Sequence, residues 1–130
     1  MIAVIPVAGV GTQLRPHTYT QPKSLIPVAG KPILSYIIDQ LLEVGITEFV
    51  FVIGYLGEKI KEYVDSEYPK INKSFVFQEQ REGLGHAIWL TKEVIPNDSS
   101  IIIVLGDTIL DANLKEFIKI KNSALGVKRV

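Results

Sequence analysis

The residue types best suited to chemistry are concentrated in one stretch, Ala8 to Pro32, "AGVGTQLRPHTYTQPKSLIPVAGKP". It carries Gly9, Gly11 and Gly30, the basic or imidazole side chains Arg15, His17, Lys23 and Lys31, and no carboxylate. Glycine admits positive φ and close backbone approach, and proline removes loop entropy before a ligand arrives, so the stretch suits an anion held by backbone N–H groups. Three phosphate-binding readings compete. A dinucleotide fingerprint requires glycine at its first, third and sixth positions; Gly9 and Gly11 fit, but Leu14 takes the third place and Pro16 stops the helix that should begin there. A Walker A loop requires Gly-Lys-Ser/Thr after its first glycine, and neither glycine leads to one. The third reading is a proline-stiffened loop whose N–H groups from Gly9 to Thr12 wrap a triphosphate while Lys23 reaches back from the far end. Farther along, Asp107 follows Gly106 at the end of an apolar run, where a carboxylate either holds Mg²⁺ against phosphate oxygens or caps a turn. Asp111 fits the capping role better. His17 and His86 are read as hydrogen-bonding or surface residues, because phosphate oxygens near neutral pH need no general base.

Positioning these groups falls to alternating strands and helices. "IAVIPV" (Ile2 to Val7), "EFVFVI" (Glu48 to Ile53), "SFVFQ" (Ser74 to Gln78) and "IIIVL" (Ile101 to Leu105) are short, β-branched or aromatic, and lack polar alternation, which predicts strands buried on both faces. Ile33, Leu34, Ile37, Ile38, Leu41 and Leu42 recur at helical spacing between Pro32 and the stop at Gly45. Further helices are predicted over Glu58 to Ser66, burying Ile60, Tyr63 and Val64; over Leu84 to Glu93, burying Leu84, Ala87 and Ile88; and over Asp111 to Lys121, burying Leu114, Phe117 and Ile118. The order β-α-β-α-β-α-β-α predicts a mostly parallel sheet with helices on both faces and ligands outside the carboxyl ends of the strands. The closing "ALGVKRV" reads as the start of another strand, so the fold is expected to be truncated.

Composition bounds the rest. With 130 residues, 47% of them hydrophobic, and a mean hydropathy of +0.25, the chain suits one globular domain. Lys plus Arg equals Asp plus Glu at 14 each, so net charge favours neither nucleic acid nor an anionic membrane as partner. The apolar runs are too short to span a bilayer and no signal-peptide pattern opens the chain, so a cytoplasmic location is expected. Zero cysteines exclude disulfides, thiolate nucleophiles and Cys-based metal sites.

Together, "GVGTQLRPHT" and "PKSLIPVAGKP" resemble the signature of the sugar-1-phosphate nucleotidyltransferases, including the glucose-1-phosphate thymidylyltransferases and UTP-glucose-1-phosphate uridylyltransferases. "QEQREGLGHA" resembles that family's base-reading segment and "VLGDTI" its metal-binding strand end, so four segments agree in order over nearly the whole chain. The resemblance implies a three-layer α/β/α, Rossmann-like nucleotide-diphospho-sugar transferase fold, with residues 1–130 as the N-terminal, nucleotide-binding part of a longer catalytic domain. It implies transfer of a nucleotidyl group from a nucleoside triphosphate to a hexose 1-phosphate, with Mg²⁺ as cofactor and UTP or dTTP favoured by "GLGHA". Ala8, Gly9, Gly11 and Thr12 would hold the nucleotide, Gln78 and Gly83 would meet its base, Lys23 the reacting phosphates, and Asp107 the metal. One position departs from the pattern: Gln13 stands where the family carries arginine, and donates hydrogen bonds without charge. Losing one such donor costs roughly 2–4 kcal/mol of transition-state stabilisation, and Arg15 is the candidate to replace it. Gln13 therefore keeps a second reading open, a non-catalytic nucleotide-binding module of the same fold. No segment matches the family's sugar-phosphate pocket, so nucleotide binding without turnover is expected, along with self-association or lost stability at an uncovered sheet edge.

Overall fold

The computed structural model describes residues 1–7, 21–79, 82–109, 114–120 and 123–124. Ala8 to Thr20, and with them Ala8, Gly9, Gly11, Thr12, Gln13, Arg15 and His17, lie outside the described residues, as do Asp111 and most of "ALGVKRV".

Among the described residues, four strands form one parallel sheet in the order β5-β4-β1-β6: β1 Ile2–Pro6, β4 Glu48–Ile53, β5 Asn72–Phe77 and β6 Ile101–Ile103. The central pair explains its own sequence. β1 and β4 are buried over nearly their whole length, and such strands read as continuous apolar runs. Phe49, Phe51 and Phe75 stack on one face, with centroids 6.0 Å apart within β4 and 5.4 Å across to β5. On that face Ala3, Ile5, Phe49, Phe51 and Ile102 meet α1 (Ile33–Glu43) through Leu34, Ile37, Ile38 and Leu41, and α2 (Gly57–Glu67) through Ile60 and Val64. The opposite face carries a smaller cluster of Ile2, Val4 and Val50, with Val76 and Ile95 against it.

Local signals end these elements where the sequence says they should. Gly45, at φ +93°, closes α1 in a Schellman motif: Gly45 N–H donates to Leu42 O at 3.0 Å and Ile46 N–H to Leu41 O at 3.1 Å. α2 starts at a glycine because a Cβ on Gly57 would lie 2.9 Å from Ile53 Cβ. Ahead of α1 the hairpin β2 (Pro27–Val28) and β3 (Lys31–Pro32) turns through Ala29 at φ +53° and Gly30 at φ +80°, the two consecutive positive values of a type I′ turn. It is tied to α1 by Tyr36 Oη donating to Val28 O at 2.8 Å and by the Lys31–Asp39 ion pair.

Three expectations are corrected. Burial on both faces holds for β1 and β4 but not for the outer strands: β5 is only part-buried, and Ile101 and Ile103 of β6 are 39% and 41% exposed, because an outer strand has cover from fewer neighbours. Helix α3 is shorter than predicted, Leu84–Leu90, passing into a 3-10 turn at Thr91–Glu93. Its first residue, Leu84, is 47% exposed, since it overhangs a cleft and not the core. The last helix among the described residues, α4, spans Leu114–Phe117, with Leu114 buried and Phe117 and Ile118 packed against the core.

Chain direction locates the functional end. From β1 the chain moves outward through α1 to β4 and through α2 to β5, then returns past α3 to β6 on the other side of β1. Strand order thus reverses between β1 and β6, and the connections on either side of β1 run in opposite directions, which opens a crevice outside the carboxyl ends of those two strands.

Candidate active site

A cleft of about 510 Å³ lies at that reversal point. Its floor is Pro6 and Val7 after β1 and Leu105 to Asp107 after β6; its walls are Lys23 and Ser24 on one side and Gln78, Gly83, Leu84 and Ala87 on the other. The floor depends on a glycine. Val104 N–H donates to Val4 O at 3.0 Å and Gly106 N–H to Pro6 O at 3.1 Å, so the pairing of the two strands continues beyond β6. A Cβ on Gly106 would sit 2.3 Å from Val7 Cγ1 and 2.9 Å from the Pro6 carbonyl, too close for any other residue without a shift of the backbone. Asp107 is delivered to the cleft by this close approach.

Across the floor, Lys23 Nζ donates to Asp107 Oδ2 at 3.0 Å, joining residues 84 positions apart. Lys23 opens a 3-10 turn, Lys23–Leu25, that Leu25 N–H and Ile26 N–H close onto Pro22 O and Lys23 O. Partial burial of Asp107 would raise its pKa, but the hydrogen bond from Lys23, a second from Thr108 Oγ1 at 3.1 Å and the nearby ammonium outweigh it and hold the carboxyl below its ordinary value. Asp107 is the one carboxylate lining the cleft among the described residues, and no cluster of three or more His, Asp or Glu occurs among them. One carboxylate does not make a stand-alone metal cage. It does fit Mg²⁺, which keeps several waters and is commonly shared between one or two carboxylates and substrate phosphates.

The opposite wall is neutral and hydrogen-bonding. Gln78 follows β5, its N–H donating to Ile53 O at 2.8 Å, and the residue is buried, 6% exposed. Gly83 takes φ +96° as the cap residue of α3, a backbone conformation that disfavours any side chain. Gln78 Nε2 lies 3.3 Å from Gly83 O and 3.1 Å from His86 Nδ1.

Of the residues singled out by sequence, Lys23, Gln78, Gly83 and Asp107 converge on this one cleft from three separate segments. Ser24 was not anticipated. It lines the cleft 4% exposed, and its Oγ has no hydrogen-bond partner among the described residues. Its adjacency to Lys23 was the only signal available.

With this geometry in view, similarity to known proteins decides the family. The nucleotidyl transferase family model matches residues 2–126. The chain belongs to that family. It is 40% identical over 119 residues to UTP–glucose-1-phosphate uridylyltransferase AglF of Haloferax volcanii, covering 92% of this chain and 48% of that protein. It is 38% identical over 130 residues to the bifunctional protein GlmU of Methanococcus vannielii, covering all of this chain and 30% of that one. A crystal structure of UDP-glucose pyrophosphorylase complexed with UDP-glucose superposes with a TM-score of 0.80 at 27% identity, covering 91% of this chain and 52% of that structure. The nucleotidyl transferase chain thus spans about half or less of the lengths it matches, and the expected α/β/α fold with its mostly parallel sheet is that of its structural neighbours.

Proposed function

We propose that this chain supplies the nucleotide-binding half-site for transfer of a nucleotidyl group, from UTP or dTTP, to a hexose 1-phosphate. The observation that carries the reading is the Lys23–Asp107 pair at the strand-order reversal, a cation for phosphate and a carboxylate for metal at the place where α/β sheets bind nucleotides. In the reaction a phosphate oxygen of the sugar attacks the α-phosphorus, the bond from that phosphorus to the bridging oxygen breaks, and pyrophosphate leaves with the electron pair. No covalent bond to protein is formed, so the side chains orient groups and neutralise charge. Bound Mg²⁺ would neutralise triphosphate oxygens, with Asp107 as its protein ligand. Lys23 would exchange Asp107 for a phosphate oxygen, an exchange between ionic partners that leaves neither charge unpaired. Gln78 and Gly83 would face the base from the other wall.

Among the described residues no helix is long and apolar enough to cross a membrane, and a cytoplasmic site of action fits the proposed substrates. Gln13 favours a second reading, a module that binds nucleotide without catalysis. Two measurements separate them. Calorimetric titration with Mg²⁺ should show UTP or dTTP binding more tightly than ATP or GTP, and no preference would remove the base assignment. A pyrophosphate-release assay with hexose 1-phosphates, run on a full-length relative carrying the same Gln13, should show turnover that Gln13→Arg raises; no turnover in either form supports the binding module.

A further inference from the structure

Gln78 stands at the wall of the cleft with its amide hydrogens already committed. The atom 3.3 Å from Gly83 O must be the amide nitrogen, because a carbonyl oxygen can only accept. The same nitrogen lies 3.1 Å from His86 Nδ1, which must then be the unprotonated ring nitrogen and accept. His86 Nε2 therefore carries the ring hydrogen, and it faces Glu82 Oε2 at 3.5 Å, an acceptor that favours the same tautomer. The ring plane is held as well: Trp89 stacks on it at 6.1 Å between centroids, and Lys92 Nζ lies 4.0 Å from the Trp89 centroid.

We propose that His86 is a positioning residue for base selection: with Gly83 O it occupies both amide hydrogens of Gln78, leaving Oε1 as the amide atom that meets a ligand. An acceptor alone at that point selects a pyrimidine whose ring nitrogen carries hydrogen, uracil or thymine, over cytosine, whose corresponding nitrogen is itself an acceptor. This rests on the pyrimidine-nucleotide reading of the cleft. It adds the residue that sets the direction of Gln78, and it gives the exposed end of α3 a task beyond packing.

The test is calorimetric titration of this chain with UTP and with CTP, each with Mg²⁺, in the wild type, His86→Ala and His86→Asn. The wild type should prefer UTP. His86→Ala should cut that preference about fivefold, the value of one net hydrogen bond, and His86→Asn, whose Oδ1 can accept where Nδ1 did, should restore most of it. Undiminished preference in His86→Ala, or a loss that His86→Asn does not repair, overturns the inference alone. Equal affinity of the wild type for both nucleotides overturns the base reading and the inference with it. A measurement on the wild type needs no variant to fold: long-range ¹H–¹⁵N spectra should show His86 protonated on Nε2, and a neutral ring protonated on Nδ1 overturns the proposal.

Discussion

The Lys23–Asp107 pair holds the two charges of the cleft against each other until a ligand separates them, and its consequences can be measured with and without metal. Without metal the Asp107 carboxylate repels a triphosphate and occupies Lys23, so Asp107→Asn should raise metal-free UTP affinity several-fold. With Mg²⁺ present the same substitution removes a ligand and should lower affinity, so the sign of the effect reverses between the two titrations. An equal fall in both would make Asp107 a structural residue. The pair also links folding to pH. The folded-state pKa of Asp107 lies below its ordinary value of 3.8, so the carboxylate contributes stability above that value and loses it as pH falls through the lowered one. Because the Asp107 side chain is 42% exposed, solvent screening keeps the contribution within about 0–1 kcal/mol. Urea midpoints of wild type and Asp107→Asn should therefore differ slightly near neutral pH and converge as pH falls through the lowered folded-state value, where the carboxyl loses its charge.

At the level of elements, two glycines of the site region should respond to alanine in opposite directions. Gly106→Ala places a methyl group against Val7 and the Pro6 carbonyl, where the nearest atoms belong to paired strands and cannot step aside. It should destabilise the fold by about 1–3 kcal/mol through overpacking and weaken nucleotide binding further by displacing Asp107. Gly85 lies within α3 with nothing inside 4 Å of its would-be Cβ. Gly85→Ala should stabilise by about 0.5–1 kcal/mol through helix propensity, and chemical denaturation of both variants checks the contrast. The same elements show how far sequence reasoning reaches. β1, β4, α1 and its stop at Gly45 were legible because burial on both faces, a helical stripe and a left-handed glycine each leave a direct residue pattern. The β2–β3 hairpin was not, since its turn is Ala29-Gly30 where Asn-Gly would have signalled it, and its strands are two residues long. Leu84 was misplaced for a related reason: helical spacing shows which residues share a stripe, and cannot show that the first turn of α3 overhangs a cleft.

On the scale of the whole molecule the sheet is unevenly covered, and this is where the chain's surface departs from that of a closed domain. On β6 and just beyond it, Ile102 and Val104 are buried on the α1 side, while Ile101, Ile103 and Leu105 alternate with them and are 39%, 41% and 43% exposed. Next to them on the sheet, Ile2 and Val4 do find cover in the smaller cluster, so the exposure belongs to the β6 side of the face and not to the face as a whole. Ile109 and Ile120 add exposed apolar surface from the segments that follow. That Lys23, Gln78, Gly83 and Asp107 would converge was legible through matched segments, but which strand would stand at the edge was not, because order along a sheet is a tertiary property with no local residue code. Contiguous apolar surface of this kind drives association when nothing else covers it. Sedimentation velocity on the 130-residue chain should show an average mass that rises with concentration. Ile103→Lys should suppress that rise, since a charge in the centre of the row must be desolvated for two copies to meet. The substitution lies outside the cleft lining, so UTP affinity should stay within twofold and the urea midpoint should shift little, as expected for a surface position. A wild-type chain that remains monomeric at every concentration would show that the row is too small to drive association, and an Ile103→Lys variant that still associates would place the contact elsewhere, at the other exposed group around Phe77, Leu84 and Trp89.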